Sequence, residues 1–165
     1  MNIIATNKEV TFDEQTLLVT KTDLKGKITY ANRAFIDIVK MQEKELVGQP
    51  HNLVRHPDMP KVIFKLLWDY LKSGKEINAY VKNLCKDGSY YWVFANVTPS
   101  YFNNKIIGYH SARKKPTQTA LQTIKPLYQT LLDLEKRGGI NESMKKIEQL
   151  LKEKGVEYDE FILSV

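Results

Sequence analysis

Two regimes of hydrophobic patterning divide this chain. From Leu17 to Lys114 short β-prone runs alternate with helical stretches, and from Pro116 onward the pattern is helical almost throughout. LLVTKTD (17–23) and ITYAN (28–32) flank the turn LKGK, where Gly26 is free to take positive φ, so the pair predicts a β-hairpin. Asn32 is placed to cap a helix whose apolar positions Phe35, Ile38 and Val39 follow helical spacing. Gln42–Leu46 reads as a short acidic turn. Pro60 suits a helix start, and KVIFKLLWDYLKSG then carries a wide apolar arc ending at Gly74. Three β-prone runs follow, at 77–85, 90–100 and 106–114, separated by turns containing Asp87-Gly88 and Asn103-Asn104. Pro99 must lie near a strand end or at an edge, because it cannot donate to a ladder.

The order β-β, helices, β-β-β predicts an α+β domain: five antiparallel strands with a helical insert on one face, and a cavity on the helix side. Residues 1–16 read as an irregular cap, 17–115 as the domain and 116–165 as a helical extension. In that extension Pro126 must kink a helix or begin its second half. Asn141 can cap a further helix presenting Met144, Ile147, Leu150 and Leu151 on one face, with Gly155 as its stop. VEYDEFILSV is too short to classify. The extension can pack on the domain, pair with a second copy in a homodimer, or dock on another protein.

One stretch fits neither period. Gly48–Pro60, GQPHNLVRHPDMP, packs two His, an Arg, an Asp and three Pro between apolar elements. Such a segment is either a surface excursion or the wall of a pocket, where Arg, His and Asp can hold an anionic or hydrogen-bonding ligand.

Composition narrows the class. Over 165 residues, 42% hydrophobic and 27% charged content is that of a globular protein. No stretch approaches the roughly 20 apolar residues that span a bilayer, and MNIIATNKEV lacks the features of a secretory signal. A single cysteine, Cys85, excludes an internal disulfide and any all-Cys metal site, so a cytoplasmic location is the default expectation. Residues 1–116 hold 18 Lys and Arg against 11 Asp and Glu, whereas 117–165 hold 7 against 8. The lysines are scattered and no nucleic-acid-binding signature accompanies them, so an acidic partner or anionic ligand suits the basic part better than nucleic acid. Gly-rich phosphate loops, metal-ligand spacings and nucleophile elbows are missing, which argues against an enzyme.

The strand–helix–strand order and the hairpin KDGSYYWV resemble a PAS domain. GQPHNLVRHPDMPK, with VKN at 81–83, YWV at 91–93 and KPLY at 125–128, resembles more specifically the PAS sensors of the bacterial aerotaxis-receptor type, from about residue 8 to 130. That resemblance implies non-covalently bound FAD whose redox state is read, with Asn32, Arg55, His56, Asp58, Phe64, Trp68, Asn83 and Tyr91 at the cofactor and His51 as a further candidate. Aerotaxis receptors continue into a membrane anchor and a chemotaxis signalling domain. A chain ending at Val165 instead resembles the stand-alone PAS proteins of energy taxis, which implies a separate membrane-bound chemotaxis transducer as partner and membrane contact only through it.

Within that reading the residues take separate tasks. Phe64 and Trp68, four apart on one helix, share a face and can wall a planar ring. Asn83 sits in a strand interior, where its amide can both donate and accept; Asn96 is a weaker candidate of the same kind. Tyr91 and Trp92 point to opposite faces, so at most one enters the pocket. Arg55 supplies permanent charge, His56 can change protonation, and Asp58 can fix the His tautomer. Two rival chemistries stand beside this one. A photoactive cysteine would be expected near His51, whereas Cys85 falls in a predicted strand. A haem would need His51, His56 or His110 as axial ligand. A cofactor-free PAS interaction module is the remaining alternative.

Overall fold

The computed structural model describes residues 2–165. Leu18–Asp23 (β1) and Ile28–Ala31 (β2) form the first hairpin, with Gly26 at φ +83° in its turn. Asn32 caps Arg33–Val39 (α1): its Oδ1 accepts from the Phe35 N–H at 3.0 Å, a contact of the type that stabilises a helix by about 1 kcal/mol. Ile36, rather than Ile38, joins Phe35 and Val39 in the core of that helix. Glu43–Leu46 (α2) turns the acidic stretch into a short helix closed by a capping box. His51–Val54 forms one 3-10 turn within the proline-rich segment, and Lys61–Lys72 (α3) begins directly after Pro60.

Ile77–Leu84 (β3), Tyr90–Phe102 (β4) and Lys105–Lys114 (β5) complete one antiparallel sheet in the order β2-β1-β5-β4-β3. Pro99 lies within β4 but beyond Val97, the last residue paired with β3, so its missing N–H interrupts no ladder on that side. The main core lies between the sheet and α1–α3, with Leu18, Phe35, Val39, Val62, Leu71 and Val93 essentially inaccessible to solvent. Burying each such side chain contributes roughly 1.5–3 kcal/mol. The N-terminal residues follow β4 as an irregular strap, bridging only at Glu9 and Tyr90.

The extension packs on the domain. Gln118–Gly138 (α4) is one continuous helix with Pro126 inside it, and the Thr130 hydroxyl donates to the Pro126 carbonyl. Ile140–Lys154 (α5) has Gly139 at its N-cap, two residues before the expected capping position; Asn141 lies inside the first turn and caps nothing. The final segment is helical too, Tyr158–Ser164 (α6). Ile124, Tyr128, Leu131, Ile147 and Ile162 bury themselves against Ile63 of α3. Two tyrosines reach the free edge of β3: the Tyr128 hydroxyl donates to the Tyr80 carbonyl and the Tyr158 hydroxyl to the Asn78 carbonyl, at 2.5 and 2.7 Å. The Met59 sulfur accepts from the Lys82 N–H, and Arg55 forms a single antiparallel bridge with Asn83. The edge strand is thereby closed along its length by its own chain.

Candidate functional site

Period-2 alternation turns Asn83 of β3, Ala95 and Val97 of β4, and Tyr109, Ser111 and Arg113 of β5 toward the helices. Opposite them, helical spacing brings Phe64, Leu67, Trp68 and Leu71 of α3 to one face, and the 3-10 turn adds His51 and Val54. Between these walls lies a cavity of about 360 Å³, within the range of small-molecule sites. Lys25, Asn52 and Arg55 stand exposed at its mouth. A Cβ on Gly26 would lie 3.5 Å from the Trp68 ring, so the first hairpin's turn closes over that indole.

At the inner end, a buried cation organises the polar groups. Arg113 is 5% exposed and no carboxylate pairs with it among the described residues. Its Nη2 donates to Thr20 Oγ1 at 2.8 Å and to His51 Nε2 at 2.7 Å, and the Thr20 hydroxyl lies 2.9 Å from the same nitrogen. Arginine cannot accept, so His51 Nε2 is the acceptor, the ring proton is on Nδ1 and the imidazole is neutral. Burial, with Arg113 beside it, pushes the His51 pKa down to about 3. Burial also lowers the Arg113 pKa to about 10, which leaves it charged at neutral pH.

Arg55 is the second cation, with its guanidinium 3.7 Å from the centre of the Phe64 ring and no carboxylate partner among the described residues. Asn83 is buried, yet its Nδ2 has only a 3.5 Å contact to the Tyr91 hydroxyl. Ser111 Oγ is buried without any partner. The cavity thus combines flat apolar walls, two cations lacking counter-charge, and amide and hydroxyl groups with unused hydrogen-bonding capacity. That donor set fits a planar, polar-edged, anionic molecule.

Of the nine residues expected at a cofactor, the structure brings His51, Arg55, Phe64, Trp68 and Asn83 to the cavity. Asn32 stands apart, with its side chain committed to the α1 cap and to the backbone of Leu17 and Val19. Tyr91 points to the same side of the sheet but is buried behind Asn83. His56 lies behind the wall against Tyr90; its Nδ1 accepts from the backbone N–H of Asp58, which fixes the tautomer. The fixing group is therefore the Asp58 amide, while the Asp58 carboxylate turns outward to Lys82 Nζ at 3.1 Å. Burial, then the Lys82 charge, lowers the His56 pKa to about 4, so this ring is neutral at physiological pH. Asn96 faces away, donating to Asn78 and Glu76. Cys85 is buried outside the cavity lining, and His110 lies on the opposite face of the sheet from Tyr109 and Ser111.

Sequence reasoning missed Arg113, Thr20 and Ser111. The signal was present: in YHSAR, Tyr109, Ser111 and Arg113 alternate onto one face, and a charged residue on the inward face of a strand is costly unless it has a task.

The sheet has helices over one face and a cavity between them, and a family profile described as PAS fold matches residues 28–113. The chain belongs to the PAS fold family. It is 42% identical over 126 residues to the aerotaxis receptor of Escherichia coli, a match covering 76% of this chain and 25% of that receptor. The nitrogen fixation regulatory protein of Klebsiella pneumoniae is 26% identical over 87 residues, covering 53% of this chain and 18% of that protein. The chain therefore spans a quarter or less of the length of these relatives. Among solved structures, a PAS domain from Colwellia psychrerythraea aligns with TM-score 0.56 at 21% identity, covering 62% of this chain and 87% of that one. The light state of the blue-light photoreceptor Aureochrome1 LOV aligns with TM-score 0.58 at 18% identity, covering 68% and 90%. At these identities the structural likeness is one of fold.

Proposed function

We propose that this chain is an FAD-binding PAS redox sensor for aerotaxis or energy taxis, signalling by contact with a separate membrane-bound chemotaxis transducer. The observation that carries the reading is the pair Arg113 and Arg55. Both face an apolar cavity, and neither has a carboxylate within 4 Å among the described residues. A bound FAD would supply a redox couple whose ring gains negative charge on reduction. Phe64, Leu67 and Trp68 are half-buried and would sandwich the ring against Val97 and Tyr109. Asn83 and Ser111 would bond its polar edge.

The same residues offer a route from added charge to a signal. A guanidinium in a low-dielectric wall favours the more negative state of its neighbour by more than a surface lysine could. Arg113 spans from the cavity to Thr20 of β1 and to His51, so any change in its donor pattern is felt in the sheet and in the proline-rich segment together. A transducer responds only if its preferred conformation binds the two redox forms with different free energy.

A haem reading is less well supported. His51 Nε2 is occupied by Arg113, and His56 and His110 do not line the cavity. A cysteine photoadduct lacks a thiol there for the same reason. The test is the absorption spectrum of the purified chain before and after incubation with FAD. Flavin bands retained through gel filtration are expected; a protein that stays colourless after incubation overturns the reading.

A further inference from the structure

Nine large hydrophobic side chains are exposed among the described residues, and four of them gather at one end of the sheet. Leu24 in the β1–β2 turn and Tyr101, Phe102 and Ile107 around the β4–β5 turn are each more than half accessible. The two turns are neighbours, because Asp23 pairs with Gly108, where a Cβ would collide with the Thr22 carbonyl. The α3–β3 connection joins them through the Tyr101 hydroxyl, which donates to the Gly74 carbonyl at 3.4 Å. Asn103 and Asn104 both take positive φ, 49° and 62°, which makes the β4–β5 apex a tight two-residue turn and not a floppy loop.

Charge at this end is predominantly positive. Lys25, Lys27, Lys72, Lys75 and Lys105 are exposed, and none takes part in an ion pair among the described residues. Two acids lie nearby, which leaves the five lysines in excess. Asp23 Oδ1 accepts the backbone N–H groups of Lys25 and Lys27, and Glu76 accepts from Asn96.

We infer that this end of the sheet docks on an anionic lipid bilayer, with Phe102, Tyr101, Ile107 and Leu24 entering the headgroup region and the five lysines facing the lipid phosphates. The surface is made of the tips of two adjacent turns. A folded protein partner would need a matching hollow to bury it, whereas a fluid interface closes around any protrusion. Aromatic and aliphatic side chains ringed by lysines are the composition such interfaces favour. Each lysine near an anionic leaflet strengthens binding roughly fivefold. The inference does not depend on flavin, and it replaces membrane contact solely through a transducer with direct contact of the chain itself.

The test is co-sedimentation of the full chain with two vesicle preparations, phosphatidylcholine alone and phosphatidylcholine containing a quarter phosphatidylglycerol. Binding to the anionic vesicles only is expected, and it should fall steeply as ionic strength rises from about 0.05 to about 0.5 M. Lys105→Glu is expected to weaken it by about tenfold or more, and Phe102→Ser to weaken it without a change in thermal unfolding. Phe102→Trp should add a fluorescence component that shifts to the blue with anionic vesicles. Failure of the unsubstituted chain to sediment with anionic vesicles at low ionic strength overturns the inference, as does binding that neither substitution alters. A chain that ignores vesicles yet is retained by immobilised polyglutamate would assign this surface to an acidic protein, which also overturns it.

Discussion

Glu135, on α4, caps the N-terminus of α3 at Lys61. Its Oε1 accepts the Lys61 N–H at 2.7 Å, and its Oε2 accepts the Val62 N–H at 3.1 Å and the hydroxyl of fully buried Ser143 at 2.7 Å. Helix α3 follows Pro60 and has no capping side chain of its own, so the extension supplies what the local sequence omits. The opposite face of the same helix holds Phe64 and Trp68 against the cavity. Glu135→Ala is expected to lower stability by about 1–2 kcal/mol in denaturant titration. It should also weaken retention of a cavity ligand, although residue 135 touches none of the lining. Unchanged ligand retention would mean that α3 holds its position without the clamp.

Arg113 tests the site from the other side. A buried cation without a carboxylate is a cost in the ligand-free fold, so Arg113→Met should leave unfolding within about 1 kcal/mol of the parent. Flavin retention after gel filtration should drop about tenfold or more, as befits loss of a charge-assisted bond. Loss of stability without loss of flavin would reverse its assignment from ligand binding to structure.

Acid should unfold the protein through its histidines. His51 and His56 have pKa values near 3 and 4 when folded, and about 6.5 when unfolded. Between those limits the unfolded chain binds protons that the folded one does not, so stability is complete above about pH 6.5 and declines as pH falls toward 4. The slope approaches about 1.4 kcal/mol per pH unit for each ring. Denaturant midpoints from pH 7 to 4 check this; His56→Gln should flatten the decline by about half.

Trp68 should report occupancy. It packs edge-on to Tyr109 with centroids 5.3 Å apart and lines the cavity, whereas Trp92 contacts Tyr128 of the extension. Quenching of tryptophan fluorescence by bound flavin should therefore be reduced in Trp68→Phe and largely retained in Trp92→Phe. Equal quenching in both variants would place the ring elsewhere.

These sites differ in how far they could be read from residues. The hairpins, the Asn32 cap and the shared face of Phe64 and Trp68 follow from local rules of period and capping, and all three stand in the structure. The proline-rich segment has no period. Nothing in its sequence therefore says that His51 turns inward, His56 goes behind the wall and Asp58 turns out to Lys82. Arg113 is legible from the alternation of β5, as a charge on the inward face of a strand. The clamp by Glu135 was not legible at all. It joins groups 73 and 74 residues apart, and no local motif encodes such a pair.

The hydroxyls of Tyr128 and Tyr158 have a consequence for anyone who shortens this chain. A fragment ending at residue 116 would keep every strand and every cavity residue. It would also lose both donors to the carbonyls of Tyr80 and Asn78, baring the first half of the β3 edge while Met59 and Arg55 still cover the second. Such a fragment would satisfy that backbone by pairing with a second copy. The dimer so obtained would be a product of the scissors, and its interface would lie where the intact protein keeps its own C-terminal helices.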